Sequence, residues 1–158
     1  MLRLSAEISP VLYRSSIANL NEYYGYSGAS QYLGYSLAYF SLDNLKPLYS
    51  NLLHDLKPGN RAFLDNGLIT AAKHDQFIEP RVVIEQYVSL VSKMNHSQAK
   101  HLSIVVPDHP LSPEISLDIV KSNTKALRWL AKRCDLILPV HQSEGRCLVV
   151  LNQTDLER

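Results

Sequence analysis

Three apolar runs in the chain each end abruptly in polar residues of the kinds that bind ligands. They are AFLDNG at residues 62–67, SIVVPDHP at 103–110 and LILPVHQSEG at 136–145. Two stretches with helical periodicity separate them. This alternation of strands and helices favours parallel pairing with helical crossovers. We therefore expect all three polar ends at the carboxyl edge of one sheet, where α/β proteins place their ligands.

The two helical stretches each have one apolar side. Residues 80–94 place most of their large apolar side chains on one half of the helix circumference, and Pro80 suits the first turn. Residues 113–132 divide in the same way, with Ser112 as the expected N-cap and Pro113 at the first helical position. We expect one continuous helix over each stretch.

The first third of the chain is rich in tyrosine and has a less regular pattern. Several tyrosines between 23 and 39 lie among Gly25, Gly28 and Gly34, which predicts a loop followed by a short strand over 35–40. Further predictions are a strand over 11–17, a helix from Ser41 or Asp43 to Leu56 that keeps Pro47 in its first turn, and a strand over 147–151.

The length and composition suit one globular domain. The 158 residues are 46% hydrophobic and 20% charged, which is ordinary for a folded domain with its own core. We expect a single α/β domain over 1–158 with a mainly parallel sheet. It has a tyrosine-rich N-terminal part (1–60) and a βαβαβ core (61–151). A complete TIM-type (β/α) barrel has eight strands and typically about 250 residues, so the predicted barrel is partial or truncated.

Several classes of function receive no support from the composition. The net charge of +1 gives no global field for nucleic acid or a membrane surface. Cys134 and Cys147 lack a zinc-type spacing, so we expect no metal and no other cofactor. No run approaches the roughly 20 apolar residues of a membrane span, and the first residues lack a signal-peptide core. We expect a cytoplasmic protein with no membrane partner.

The three polar ends together resemble the motifs of a known family. Leu64-Asp65-Asn66-Gly67, followed by Thr70, resembles the Asp-Ser-Gly-Gly-Phe motif of tRNA-guanine transglycosylases and the related motif of the enzymes that insert deazaguanine into DNA. Val105-Val106-Pro107-Asp108 resembles the next barrel strand, which presents a second aspartate. Pro139-Val140-His141-Gln142, with Gly145 nearby, resembles the strand that delivers a glutamine. The likeness covers about residues 61–145.

The resemblance implies base exchange at a glycosidic bond of nucleic acid. Asp65 would act at the reacting sugar and base as an acid/base or orienting group. Asp108 would accept hydrogen bonds from the donor edge of a guanine-type base, and Gln142 would add a bidentate amide contact. His141, Asn66 and Gly145 would complete the substrate-binding set. Guanine's N1–H and 2-amino group form a donor pair that fits a carboxylate.

Three departures from the family pattern shift the expectation from turnover to recognition. The family's nucleophilic aspartate comes from a later strand, and the sequence ends before an equivalent position. The zinc-binding cysteines of the tRNA enzymes have no counterpart, and Leu68 and Ile69 replace the second glycine and the aromatic residue. We expect a homo-oligomer or a partner chain to complete the barrel.

Plainer interpretations stand beside this hypothesis. Asp65-Asn66-Gly67 is also ordinary turn chemistry, because Asp and Asn bond their own backbone and Gly accepts positive φ. Asp108 is also a typical residue of a rigid turn between prolines. The rival function is a non-catalytic interaction or assembly subunit built on a degenerate half-barrel. An unrelated α/β enzyme that uses the same sheet edge is the third alternative.

Overall fold

A five-stranded parallel sheet forms the centre of this computed structural model. Its strands are β1 (Arg14–Ile17), β2 (Tyr32–Ser36), β3 (Arg61–Asp65), β4 (Leu102–Val105) and β5 (Asp135–Ile137). They are neighbours in chain order, and every pair is parallel. The α/β class and the mainly parallel sheet are therefore confirmed. The structure describes residues 13–17, 19–28, 32–37, 45–109, 112–139, 141–143 and 146–148.

Helices connect the strands, and a small hairpin follows them. The helices are α1 (Leu20–Ser27), α2 (Leu45–Asp55), α3 (Leu68–Ala72), α4 (Pro80–Ser92), α5 (His96–Ala99), α6 (Pro113–Ser122) and α7 (Thr124–Ala131). The hairpin pairs β6 (His141–Ser143) with β7 (Arg146–Leu148) in antiparallel fashion. Among the helices in these ranges, none has the length and apolar character needed to cross a membrane.

Many of the predicted elements are present with shifted ends. Helix α4 begins with Pro80 at its first position, and α6 begins after the Ser112 cap. Helix α2 starts at Leu45, which puts Pro47 in the first turn; Ser41 and Asp43 lie outside the described residues. Strand β2 begins three residues before the predicted 35–40. Parts of the predicted strands 11–17, 35–40 and 147–151 also fall outside the described residues.

The loop predicted for the tyrosine-rich segment was wrong over residues 20–27, where the structure has helix α1. Asn19 caps this helix, since its side-chain oxygen accepts a hydrogen bond from the Glu22 amide at 3.0 Å. Tyr23 is buried, so one side of the helix is fixed by tertiary packing. The cap and the buried tyrosine outweigh the helix penalty of about 1 kcal/mol for Gly25.

The single helix predicted over 113–132 was also wrong, because it is divided into α6 and α7 at Asn123. The side-chain amide nitrogen of Asn123 donates to the Ile119 carbonyl at 2.8 Å. The Thr124 hydroxyl contacts the carbonyls of Val120 and Lys121 at 3.1 and 2.8 Å. Side chains that bond to nearby carbonyls compete with the regular helical ladder, and apolar periodicity alone does not reveal this competition.

One face of the sheet, the helix-covered face, forms the hydrophobic core. Strand residues that alternate along the sheet point to this face and are buried. They are Leu33, Tyr35, Ala62, Leu64, Leu102 and Ile104. Residues of α2, α4 and α7 belong to the same core cluster, among them Leu52, Ile84, Tyr87 and Leu130. Sequential right-handed crossovers account for this, because they place every connecting helix on the same side.

The other side of the sheet, the opposite face, is less buried and carries a different set of residues. Tyr13 contacts the rings of Tyr32 and Phe63 edge-on, with centroids 5.8 and 5.2 Å apart. Arg61 of β3 reaches Asp135 of β5 at 2.9 Å, and both side chains are exposed. An ion pair at such a site contributes under about 1 kcal/mol. The described apolar side chains of this face are not part of the core cluster.

A buried carboxylate joins the N-terminal elements to one another. Asp55, at the end of α2, accepts hydrogen bonds from the hydroxyls of Tyr23 at 3.2 Å and Tyr35 at 3.0 Å. Burial, and then the negative charge of Asp55, raises the pKa of Tyr23 to about 12. The same causes raise the pKa of Tyr35. These two bonds fix α1 and β2 to α2.

The outer helices α4 and α7 contact each other along a groove of about 580 Å³. Trp129, the single tryptophan of the chain, lines this groove together with Ile84 and Val88. The guanidinium carbon of Arg133 lies 3.8 Å from the centre of the Trp129 ring, in a cation–π contact. This contact covers the ring at the end of α7.

The tyrosine–Asp55 cluster predicts a loss of stability at alkaline pH. In the unfolded chain tyrosine ionises near pH 10, whereas the folded protein keeps Tyr23 and Tyr35 neutral. Their contribution is therefore complete below about pH 10 and decreases as the pH rises towards about 12, by up to about 1.4 kcal/mol per pH unit for each tyrosine. Urea unfolding between pH 8 and 11 measures this slope. Tyr23→Phe should make the slope shallower, and an unchanged slope contradicts the prediction.

Candidate functional site at the carboxyl edge of the sheet

The first part of the candidate site is the turn that follows β3. The Asp65 carboxylate accepts a hydrogen bond from the Gly67 amide at 3.1 Å, and the Asn66 side-chain oxygen accepts one from the Leu68 amide at 3.0 Å. Gly67 has φ of +75°, a conformation that glycine adopts without strain. The turn chemistry expected from the sequence is present. It also fixes both side chains directly after the strand.

The second part of the site is the loop that follows β4. The Asn66 amide nitrogen lies 3.4 Å from a carboxylate oxygen of Asp108, at the long end of hydrogen-bond distances. Because the Asn66 side-chain oxygen accepts the hydrogen bond from the Leu68 backbone amide, the side-chain nitrogen of Asn66 is the atom that faces Asp108. The His109 amide donates to the Ser116 hydroxyl at 2.9 Å, which ties this loop to the first turns of α6. The structure thus brings Asn66 to Asp108, and Asp65 precedes Asn66 at the same edge of the sheet.

Tyr87 of α4 contacts the strand ends beside the site from the helix-covered face. From the sequence it is only one of the residues on the apolar side of the helix predicted over 80–94. Its side chain is fully buried. The hydroxyl lies 3.2 Å from the Leu64 carbonyl and 3.0 Å from the Val105 carbonyl, and so links the ends of β3 and β4. Burial, followed by the nearby charge of Asp65, raises the Tyr87 pKa well above its usual value. The hydroxyl therefore stays protonated as a donor between the two strands.

Ser36 is a second residue of this edge that the sequence did not single out. It is the last residue of β2 and the register partner of Asp65. Its side chain is buried, and its hydroxyl has no hydrogen-bond partner. A serine near the end of an apolar run carries no distinctive sequence signal, since serine is common in turns.

The third predicted polar end is only partly described. His141 and Gln142 lie in β6, where their register partners in β7 are Leu148 and Cys147. The structure describes the backbone of these residues but not their side chains. Gly145 lies outside the described residues. The substrate contacts expected of His141, Gln142 and Gly145 therefore remain predictions.

The chemistry of the site is that of hydrogen-bonding carboxylates and an amide. Among the described side chains, no group of three or more His, Cys, Asp or Glu residues is arranged to hold a metal ion. Cys134, the cysteine whose side chain the structure describes, is buried. Burial raises the pKa of its thiol to about 12. A thiol with this pKa is protonated at neutral pH and is a poor nucleophile. The arrangement suits recognition of a ligand that presents hydrogen-bond donors.

Tyr87→Phe should destabilise the protein although the ring volume is conserved. The substitution leaves two strand-end carbonyls without their shared donor, which costs about 1–3 kcal/mol in a buried setting. Urea denaturation measures the change in the free energy of unfolding. Tyr24→Phe is the matched control, because Tyr24 is 66% exposed, and should change stability by less than about 0.5 kcal/mol. Equal effects of the two substitutions would show that the Tyr87 hydroxyl adds nothing.

Comparison of the chain with protein-family models, with curated proteins and with solved structures gave no match.

Proposed function

We propose that this chain is a transglycosylase-like protein that recognises a guanine-type or deazaguanine-type base of nucleic acid at the carboxyl edge of its sheet. The observation that carries the proposal is the approach of Asn66 to Asp108 at 3.4 Å, beside Asp65. These residues follow adjacent parallel strands, as the family resemblance requires. Recognition is proposed in preference to turnover, because the described residues provide no counterpart of the family's nucleophilic aspartate.

The donor–acceptor pattern supports a base with a donor edge. Asp108 is held beside the amide nitrogen of Asn66, so its carboxylate is oriented by a donor on one side. A guanine base adds two further donors, N1–H and the 2-amino group, in a geometry that a carboxylate fits. Adenine presents an acceptor at N1, which would face the carboxylate oxygen, also an acceptor, without a hydrogen to bond them. In this proposal Gln142 adds an amide contact to the same base.

The order of the strands supports the barrel component of the proposal. Neighbouring strands of a (β/α) barrel follow one another in sequence, whereas a doubly wound sheet reverses its order at a switch point. The five strands of this sheet keep sequential order without reversal. We propose a partial TIM-type barrel in which Asp65 and Asp108 lie at the face that barrel enzymes use for their active sites.

In this arrangement Asp65 stands at the sugar side of the ligand. It is the last residue of β3, and its carboxylate is half-buried and held by the Gly67 amide. A carboxylate in this position is suited to orient a sugar hydroxyl or to accept a proton from it. The zinc and the covalent nucleophile of the resembled family have no part in this proposal.

Asp108→Asn should weaken the binding of guanosine about tenfold or more, because a charge-assisted contact of about 1.5–3 kcal/mol is replaced by an amide with one acceptor. Isothermal titration calorimetry measures the affinity. Asp118→Asn, at an exposed position of α6, is the matched control and should bind like the wild type. Adenosine binding as tight as guanosine binding, or full affinity in Asp108→Asn, would refute the proposed recognition.

The opposite face of the sheet favours a second candidate function, that of an assembly subunit. Its apolar side chains remain outside the described core, and Ile137 is 40% exposed on β5. In the described residues no strand pairs with the outer side of β5. Exposed sheet edges and apolar patches are typical of surfaces that another chain covers. A second copy of this chain would cover both.

If the chain acts as an assembly subunit, light scattering after size exclusion should give twice the monomer mass. Ile137→Glu should then return the mass to that of the monomer, because a buried carboxylate is costly at a sheet interface. Phe77→Glu is the control, since Phe77 is 88% exposed in the segment after α3 and not on the sheet. A monomeric wild type at all concentrations tested would exclude the self-assembling form.

A further inference from the structure

The Ser36 hydroxyl is buried without a hydrogen-bond partner, whereas a buried polar group is expected to have one. Ser36 is 5% exposed, and its oxygen makes no hydrogen bond. Leaving a buried hydroxyl unpaired is unfavourable, and most buried polar groups in folded proteins are paired. An unpaired group of this kind therefore calls for an explanation in terms of function or packing.

The position of Ser36 points to function. Ser36 and Asp65 are register partners at the ends of β2 and β3, so their side chains leave the sheet on the same face and at the same edge. In the described part of the chain two other side chains have a buried unpaired nitrogen, Asn51 and Arg128. Both belong to helices, α2 and α7. Among these three groups, Ser36 alone lies at the carboxyl edge of the sheet.

We infer that Ser36 is a ligand-binding residue of the carboxyl-edge site, and that its hydroxyl bonds to the sugar of a guanine nucleoside held at Asp65. This inference rests on the function proposed above and specifies the nucleoside, rather than the free base, as the ligand unit. A serine hydroxyl both donates and accepts, as a sugar hydroxyl does. In this inference a rotation about χ1, which moves the oxygen between staggered positions, turns the hydroxyl towards the ligand.

The structure offers a matched control for this inference. Ser103 of β4 is the same residue type, is 6% exposed, and is the register partner of Phe63. Because Phe63 and Asp65 are two residues apart on one strand, Ser103 lies on the same face as Ser36 but one row further from the carboxyl edge. Its hydroxyl should therefore be remote from the ligand. Both serines are replaced by alanine with the same loss of one oxygen.

The test measures affinity and thermal stability on the intact chain. Ser36→Ala should bind guanosine about three- to tenfold more weakly, the loss expected for one neutral hydrogen bond. It should melt at or above the temperature of the wild type, because an unpaired buried hydroxyl is removed. Ser103→Ala should bind guanosine as the wild type does. With 9-methylguanine, which lacks the sugar, Ser36→Ala and the wild type should bind equally.

Other outcomes overturn the inference in distinguishable ways. If Ser36→Ala keeps full guanosine affinity and melts at a higher temperature, the unpaired hydroxyl is a feature of packing and does not bind the ligand. Equal losses of affinity in Ser36→Ala and Ser103→Ala assign the effect to the sheet and not to Ser36. An equal loss for 9-methylguanine overturns the assignment to the sugar. A wild type that binds neither ligand removes the proposed function, and the role of Ser36 with it.

Discussion

Parallel pairing of β2, β3 and β4 in chain order is the constraint on which the rest of the molecule depends. It places Ser36, Asp65 and the loop carrying Asp108 at one edge of the sheet, although they are far apart in sequence. It also places the connecting helices on one side, so the core forms between the sheet and α2, α4 and α7. One pattern of backbone hydrogen bonds therefore determines both the buried core and the convergence of polar groups. Neither the turn after β3 nor the Asp108 loop could make a site without it.

Tyr87 connects these two consequences. Its ring is part of the core, and its hydroxyl contacts the carbonyls at the ends of β3 and β4. Any shift of α4 against the sheet would therefore move the strand ends from which the site residues emerge. On the same face, nearer the N-terminal strands, the Asp55 cluster fixes α1 and β2 by the same means, tyrosine hydroxyls bonded to a buried acceptor. The parallel sheet is thus supported by side-chain hydrogen bonds that specify position as well as by apolar contacts.

The elements that could be predicted from the sequence are those in which the apolar period and the cap chemistry agree. The strand ending at Asp65, the helix starting at Pro80 and the cap at Ser112 could all be placed from local pattern. The predictions were wrong at α1, where the burial of Tyr23 outweighs the helix penalty of Gly25, and at Asn123, where side-chain hydrogen bonds divide a periodic helix. Asp65, Asn66 and Asp108 could be predicted because charged and amide groups stand out after apolar runs. Ser36 and Tyr87 could not, since their positions at this edge arise from register and from a contact over long sequence separation.

The contact between Trp129 and Arg133 has a practical consequence for spectroscopy. Trp129 is the single indole of the chain, and it lies in the groove between the outer helices, under a guanidinium group. The carboxyl-edge residues Asp65 and Asp108 belong to the opposite end of the strands from the α7–β5 junction, where Arg133 stands. Indole emission will therefore follow the docking of α7 on α4 and will respond little to occupancy of the sheet edge. The chain carries a built-in optical reporter of its helical layer, separate from the place where a ligand would bind.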